Sequence, residues 1–461
     1  MKEIEELLAA WLPRQRWFAG KRAPVEAVRV EHDLPVGGGD PGPHGPGMRL
    51  LVVRVDQPRG TDRYLVVLGL AEPGRLRPAL EHCVIGRCRV RGARRTAYDA
   101  LYDPELTARL LHLIARGADR GPLRFRTRPG RTVRTGLRSL VLTGEQSNTS
   151  LVFGEEYVLK AFRRLWPGLN PDLELNGALE GSPYAAPPHG WIEADIDDGG
   201  RPVSTTVAML QGYLRSATDG WVLAATSVRD LYAAPGGGPA GAGGDFAAEA
   251  ERLGAATAAV HRALARALPT DVLSPACLRD LADAMARRLD EATEQVPELA
   301  PYAGVLRAAF DDFARAPDPL PVQRVHGDYH LGQVVRTDAG WVLLDFEGEP
   351  AVPVAERRRP SSPLRDVAGM LRSFDYAARH QLIGSAEEEL LAPAARAWAD
   401  RNREAFCAGY AAGGGTDPDK HLTALRAFEY DKAVYEVLYE AHHRPTWLRV
   451  PLDSIAALAH A

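Results

Sequence analysis

Asp328, His330 and Gln333 lie in one short polar loop, Arg324-Val-His-Gly-Asp-Tyr-His-Leu-Gly-Gln-Val, and Asp345 and Glu347 close the next apolar run, Gly340-Trp-Val-Leu-Leu-Asp-Phe-Glu-Gly-Glu. Carboxylates and an amide packed this closely between apolar residues do not read as solvated surface. Their hard oxygen donors suit Mg²⁺ better than Zn²⁺. We assign Gln333, Asp345 and Glu347 to the metal. Asp328 is left to orient or deprotonate an incoming hydroxyl, with His330 beside it on the substrate side.

Phosphoryl transfer from ATP needs, besides such a centre, a phosphate cradle and a lysine on the phosphates. Lysine is scarce here (Lys2, Lys21, Lys160, Lys420 and Lys432), so a lysine in an apolar run calls for a reason. Lys160 closes the β-type run Tyr157-Val-Leu-Lys-Ala-Phe, where it must snorkel, pair with a carboxylate or bind an anion. Glu174, in the first turns of a helix starting near Pro171-Asp172, is its expected partner. Upstream, the turn holding Gln146, Ser147 and Asn148 joins two strands and could turn backbone N–H groups toward phosphates, although an ordinary hairpin has the same composition. The apolar strand Val203–Leu210 gives way abruptly to Gln211-Gly-Tyr213. That change reads as a hinge, which puts Gln211 and Tyr213 on the nucleotide side.

Other elements follow from pattern. Residues 3–12 form a short amphipathic helix, then Arg14 to Arg22 set Trp17 and Phe18 in a basic cluster, read as an aromatic anchor under a turn. Strands such as Met48–Val55 and Tyr64–Leu70 build a small antiparallel unit. Tyr98-Asp-Ala-Leu-Tyr-Asp-Pro starts a helix in which Asp103 is the N-cap and Pro104 the first residue. A basic loop, 119–135, follows. Beyond a Gly/Ala/Pro-rich stretch at 233–244 the chain is helical: 246–268, 276–290, 301–315, a helix begun by Leu364-Arg-Asp366, helices over 385–412, and one from His421 to about His442. His261 reads as a satisfied structural histidine, and Asp366 as a brace for the catalytic segment. The last helix carries Glu429, Lys432, Tyr435, Glu436 and Tyr439, a face suited to a sugar; its alternative is a solvated charged face with core tyrosines.

The 461 residues hold 45% hydrophobic and 25% charged side chains with a net charge of −4, ordinary for a globular protein. The mixed charge argues against a nucleic-acid partner, and no apolar run is long enough to span a bilayer. Four cysteines without zinc or redox spacing fit a reduced cytoplasm. A monomer or weak dimer is expected.

His326-Gly-Asp-Tyr-His-Leu-Gly-Gln resembles the H-G-D-x-x-x-x-N loop of aminoglycoside phosphotransferases, with Gln333 standing where those enzymes have asparagine. Leu344-Asp-Phe-Glu-Gly-Glu resembles their second metal motif in its D-x-E form. A closer resemblance, to actinobacterial maltokinases, spans nearly the whole chain. It includes Gln15-Arg-Trp-Phe-Ala-Gly-Lys, Pro167-Gly-Leu-Asn-Pro-Asp-Leu-Glu, Ala217-Thr-Asp-Gly-Trp, Ser362-Pro-Leu-Arg-Asp-Val-Ala-Gly and Asp431-Lys-Ala-Val-Tyr-Glu-Val-Leu-Tyr-Glu-Ala. The resemblance implies an α+β, bilobal protein-kinase-like fold: a cap subdomain over 1–90, a nucleotide-binding small lobe over 91–212, and a mostly helical lobe over 213–461. It implies ATP- and Mg²⁺-dependent phosphorylation of maltose at its anomeric hydroxyl. Related glucosamine kinases, which make glucosamine 6-phosphate, share the same motifs, so these cannot separate the two acceptors. An amino sugar calls for carboxylates (Glu429, Glu436, Glu440) and a disaccharide for aromatic platforms (Tyr435, Tyr439, Trp447). An inactive sugar- or nucleotide-binding relative would have lost a catalytic carboxylate or the strand lysine, and Lys160, Asp328 and Asp345 are all present.

Overall fold

The computed structural model describes residues 1–461 except 22, 37–46, 59, 143–146, 235, 237, 242–243, 318, 350–351 and 460–461. Two compact units emerge. Unit 1 comprises Met1–Gly177 and Ala186–Arg215; unit 2 comprises Ala178–Ala185 and Ser216–Ala461.

Unit 1 opens with α1 (Lys2–Trp11) and an antiparallel sheet of β1 (Ala27–Pro35), β2 (Gly47–Gln57), β3 (Gly60–Ala71), β4 (Val84–Val90) and β5 (Ala93–Asp99), in the order β1-β2-β3-β5-β4. β2 and β3 are nearly unbroken apolar runs because both their faces are covered. Leu51, Val53, Val66 and Leu68 share a core with Leu8 and Trp11 of α1. Leu50, Val52, Leu65 and Val67 share another with Leu110, Leu111 and Ile114 of α2 (Pro104–Ala115). Trp17 and Phe18 are the anchor expected of them, buried against the Tyr64 ring at 5.9 and 5.1 Å. Arg14, Arg16 and Lys21 stay exposed.

Tyr98 and Asp99 end β5, and α2 begins at Pro104 as expected, with Asp103 as its N-cap accepting from the Glu105 N–H at 3.0 Å. The expected basic loop contains β6 (Asp119–Arg120) and β7 (Leu123–Thr127). Its arginines alternate with core residues: Phe125 is buried, while Arg124 pairs with Asp195 across the strands at 2.7 and 2.8 Å. The second sheet continues with β8 (Ser139–Val141), β9 (Thr149–Phe153), β10 (Tyr157–Ala161), β12 (Pro188–Asp198) and β13 (Arg201–Gly212), in the order β6-β7-β12-β13-β10-β9-β8; β11 (Arg164–Leu165) joins β3 of the first sheet. α3 (Pro171–Ala178) lies between β11 and β12.

Unit 2 is mostly helical. It runs through β14 (Thr218–Asp219), α4 (Gly220–Ala233), α5 (Gly238–Gly241), α6 (Ala247–Ala267), β15 (Asp271–Leu273), α7 (Pro275–Gln295), α8 (Ala303–Ala314) and β16 (Leu320–Val322). The hairpin β17 (Val334–Thr337) and β18 (Gly340–Leu343) precedes α9 (Val354–Arg357), α10 (Leu364–Arg379), α11 (Glu388–Ala412), α12 (Leu422–His443) and α13 (Arg449–Ala459). α6 and α11 touch backbone to backbone: a Cβ at Gly254 would run into the Phe406 carbonyl, and one at Gly409 into that of Glu251. Among the described residues no helix is long and apolar enough to cross a membrane.

Candidate active site

The loop between β16 and β17 is fastened by α10. Asp366, in the first turn of that helix and 1% exposed, accepts from the His326 N–H at 2.7 Å through Oδ2 and from the Gly327 N–H at 2.8 Å through Oδ1. His261 Nε2 lies 3.0 Å from the same carboxylate and its Nδ1 lies 2.8 Å from the Tyr410 hydroxyl, so this histidine is structural and fully partnered. Burial alone would raise the Asp366 pKa, but the His261 hydrogen bond, the nearby His261 and His326 rings and the Gly327 amide together hold it below the ordinary carboxylate range. Gly369 lets the loop come down onto the helix, since a Cβ there would sit 2.6 Å from the Tyr329 carbonyl oxygen. The Tyr329 hydroxyl meets Thr257 Oγ1 at 2.7 Å, and the Leu331 N–H donates to Ser373 Oγ at 3.0 Å.

Asp328 projects from this fastened loop and is itself half-buried. Its Oδ1 lies 3.4 Å from Lys432 Nζ of α12. Burial lowers the Lys432 pKa, but Asp328, Glu349 and Glu436 outweigh it and the net shift is upward, so the ammonium stays charged. The Asp328 N–H donates to His326 Nδ1 at 3.4 Å, which leaves Nε2 to donate to the Leu344 carbonyl at 2.7 Å. His330 accepts the Gly332 N–H on Nδ1 at 3.1 Å. Burial, helped by Lys432 and His326 and opposed by Asp328 and Asp345, pushes its pKa below the ordinary value, so it is neutral at pH 7.

Asp345 directly follows Leu344 beyond β18 and has φ 60°, a left-handed conformation that a non-glycine residue adopts at a cost. The Gln333 amide donates to its Oδ2 at 3.4 Å, and the Leu344 N–H donates to the Gln333 carbonyl at 2.9 Å. Glu347 stands half-buried two residues on, its carbonyl accepting from Arg357 Nη1 at 3.0 Å. The carboxylates of Asp345 and Glu347 and the amide of Gln333 offer the hard oxygen donors that Mg²⁺ takes.

α12 requires two corrections. Glu436 and Glu429, expected at the acceptor, are committed to arginines. Arg372, 0% exposed, donates to Glu436 Oε2 at 2.9 and 2.7 Å, and Arg403 Nη2 lies 2.7 Å from Glu429 Oε1. Asp375 lies between the two arginines, at 3.1 Å from Arg372 and 3.5 Å from Arg403. The cause is electrostatic: guanidinium groups this deep require countercharges, and α12 supplies them. Lys432 covers the Tyr435 ring at 4.8 Å, Tyr435 stacks on Tyr439 at 6.3 Å, and Tyr439 stacks on His443 at 4.4 Å. Arg444 lies over both Tyr439 and Trp447, at 5.5 and 4.3 Å. Glu349 stands against Tyr435 and Lys432; the sequence reading passed over it because only the fold brings it to α12.

In unit 1, Lys160 is 5% exposed in β10, opposite Met209 and Ser150. Beside the expected Glu174, the structure gives Lys160 a partner the sequence did not suggest: Nζ sits 2.9 Å from Asp172 Oδ2, while Asn176 Nδ2 donates to Asp172 Oδ1 at 2.8 Å. Asp172 faces inward in the first turn of α3, 2% exposed; Glu174 lies about 200° further round the helix and is half-buried. The signal was present in Asn170, whose side chain caps the Asp172 N–H at 2.8 Å and so fixes which carboxylate opens the helix. Asn148 is buried and donates to exposed Ser147 at 3.2 Å; Gln146 lies outside the described residues. Gln211 pairs with Val158 and Pro188, and Tyr213, 36% exposed, donates its N–H to the Glu156 carbonyl at 2.9 Å.

Comparison with known proteins agrees with this architecture. Residues 11–103 match the Maltokinase N-terminal cap domain and residues 235–428 the Phosphotransferase enzyme family. A glucosamine kinase of Streptacidiphilus jiangxiensis is 31% identical over 351 residues, covering 70% of this chain and 74% of that protein. One of Mycolicibacterium smegmatis is 30% identical, covering 69% and 78%. A solved glucosamine kinase in complex with glucosamine, ADP and inorganic phosphate superposes with a TM-score of 0.67 at 24% identity over 98% of both chains. The fold expectation therefore holds, as a kinase-like phosphotransferase fold with an N-terminal cap and a helical C-terminal part. The chain belongs to the phosphotransferase enzyme family, shares its cap with maltokinases, has glucosamine kinases among its relatives, and is itself a kinase.

Proposed function

We propose that the protein transfers the γ-phosphoryl group of ATP to the anomeric hydroxyl of maltose. The observation that carries the choice of acceptor is the row of rings leading away from Asp328 and Lys432 along α12: Tyr435, Tyr439 and His443, flanked by Arg444 and Trp447. Stacked rings of this extent suit a sugar longer than one ring. The carboxylates that an amino sugar's ammonium would seek, Glu429 and Glu436, are already neutralised by Arg403 and Arg372, and a lysine stands at the acceptor carboxylate.

In this reading Asp328 accepts the hydrogen bond of the attacking hydroxyl and takes its proton as the new P–O bond forms. Lys432 holds Asp328 in place. Gln333, Asp345 and Glu347 would hold Mg²⁺, which when bound neutralises charge on the phosphates. Lys160, steadied by Asp172, is the lysine for the nucleotide phosphates. Ser147, Asn148, Gln211 and Tyr213 belong to the nucleotide side, and His330 lends a neutral ring to the acceptor side.

A second reading, glucosamine as acceptor, is favoured by the 30–31% identity to glucosamine kinases. An ADP-release assay across maltose, glucosamine and glucose separates the two. We expect turnover with maltose; turnover with glucosamine alone would replace the acceptor and leave the kinase standing. Asp328→Asn is expected to lower kcat by about 10²–10⁴-fold while sparing ATP binding. Magnesium chelation should stop turnover, and Mg²⁺ should restore it.

A further inference from the structure

Directly after the lysine strand the chain leaves the second sheet for the first. The Leu65 N–H of β3 donates to the Arg163 carbonyl at 2.8 Å, and β11 then pairs with β3. Arg164 follows with Nε and Nη2 at 3.0 and 2.6 Å from Asp62 of the same strand. Lys160, three residues before Arg163, is thus tethered to the cap at its C-terminal side.

Arg163 gathers the rest. Its side chain is 0% exposed. Nη2 pairs with Asp99 at the end of β5, Nη1 donates to the Leu65 carbonyl at 3.4 Å, and the guanidinium lies 4.7 Å over the Trp17 ring. Its Nε donates to Thr149 Oγ1 at 2.8 Å. Thr149 is the first residue of β9, and in the β9–β10 ladder it stands opposite Ala161, next to the Ser150–Lys160 pair. One buried cation therefore joins three cap segments (Trp17, Leu65 and Asp99) to the strand beside the lysine. It also accounts for one member of the aromatic cluster near the N-terminus: Trp17 forms one wall of the arginine's cage.

A buried guanidinium costs several kcal/mol of desolvation unless each face is satisfied. Here the cap supplies the carboxylate, the carbonyl and the ring, and the second sheet supplies, among the described residues, the threonine hydroxyl. The geometry points to Arg163 as a positioning residue through which the N-terminal cap holds β9 and β10 in the register that places Lys160 on the nucleotide phosphates. The inference rests on the reading that Lys160 meets the nucleotide. In it the cap sets the affinity for ATP and leaves the acceptor sugar's affinity untouched.

The test uses the full chain, with the Kd for ATP in the presence of Mg²⁺ measured by calorimetry, and KM values for ATP and for the sugar from turnover. Arg163→Met would remove all of these bonds at once, so Thr149→Val and Asp99→Asn, each of which alters one contact, carry the experiment, with melting curves confirming that each is folded. Both are expected to weaken ATP binding about tenfold, the scale of losing one hydrogen bond to a charged group, and to leave the KM for the sugar within twofold. Thr149→Ser, which keeps the hydroxyl, should restore ATP affinity. An unchanged ATP Kd in both variants, or equal loss in the two KM values, overturns the positioning role. Lys160→Met distinguishes the two failures: if it abolishes ATP binding while the Thr149 and Asp99 variants bind normally, only the positioning role falls. If it binds ATP normally, the nucleotide reading falls first and the inference with it.

Discussion

At the scale of residues, Lys432 is the most informative side chain. It is a scarce residue type standing 3.4 Å from the proposed base, with its charge secured by three carboxylates. Removing it should leave Asp328 free to swing. Lys432→Met is expected to lower kcat/KM for the acceptor about tenfold. An unchanged kcat/KM in steady-state kinetics of the variant would remove Lys432 from the mechanism. Lys160 and Lys432 were visible in the sequence because lysine is scarce there. Their partners were not. Asp172 beside Lys160 depends on which way one helix turn faces, and the arginine partners of Glu429 and Glu436 come from α10 and α11, distant in sequence.

At the scale of elements, α10 is the strut of the catalytic loop. Its role was legible in Asp366, whose place at the start of a predicted helix marked it as a brace, and the structure adds the close approach at Gly369. Gly369→Ala would press a methyl group against the Tyr329 carbonyl. A cost of about 1–3 kcal/mol is expected, read as a lower Tm together with reduced turnover. Asp366 also carries a pH signature. Its folded pKa lies below the unfolded value, so its stabilisation is complete above an ordinary carboxylate pKa and is lost as pH falls through the lower folded value. Asp366→Asn should therefore be less stable at neutral pH than the parent, with the gap closing in acid unfolding experiments. β7 escaped the sequence reading for a local reason: its alternating arginines look like a basic loop until Asp195 is seen opposite.

At the scale of the whole molecule, the chemistry is written locally and the acceptor is not. The loop around Asp328 and the run ending at Asp345 are contiguous stretches, so motif spacing reveals them. The α12 face acquires meaning only when unit 2 folds and shows which of its charges are consumed. In the proposed reading, the aromatic row is what remains for the acceptor. Tyr439→Ala is expected to raise the KM for maltose about 3- to 10-fold while changing the KM for a single-ring acceptor little, which steady-state kinetics with both sugars would read. Equal effects on the two would place Tyr439 outside the acceptor path.

The left-handed backbone of Asp345 has a consequence for engineering. Glycine adopts that conformation without the steric penalty, so Asp345→Gly is expected to gain about 1 kcal/mol, or to lose little, in thermal unfolding while losing a proposed metal ligand and its turnover. A campaign that ranks variants by melting temperature alone would then promote an inactive protein. Position 345 should be held fixed in any library built for robustness, and the same variant offers a well-folded, inactive partner for binding studies.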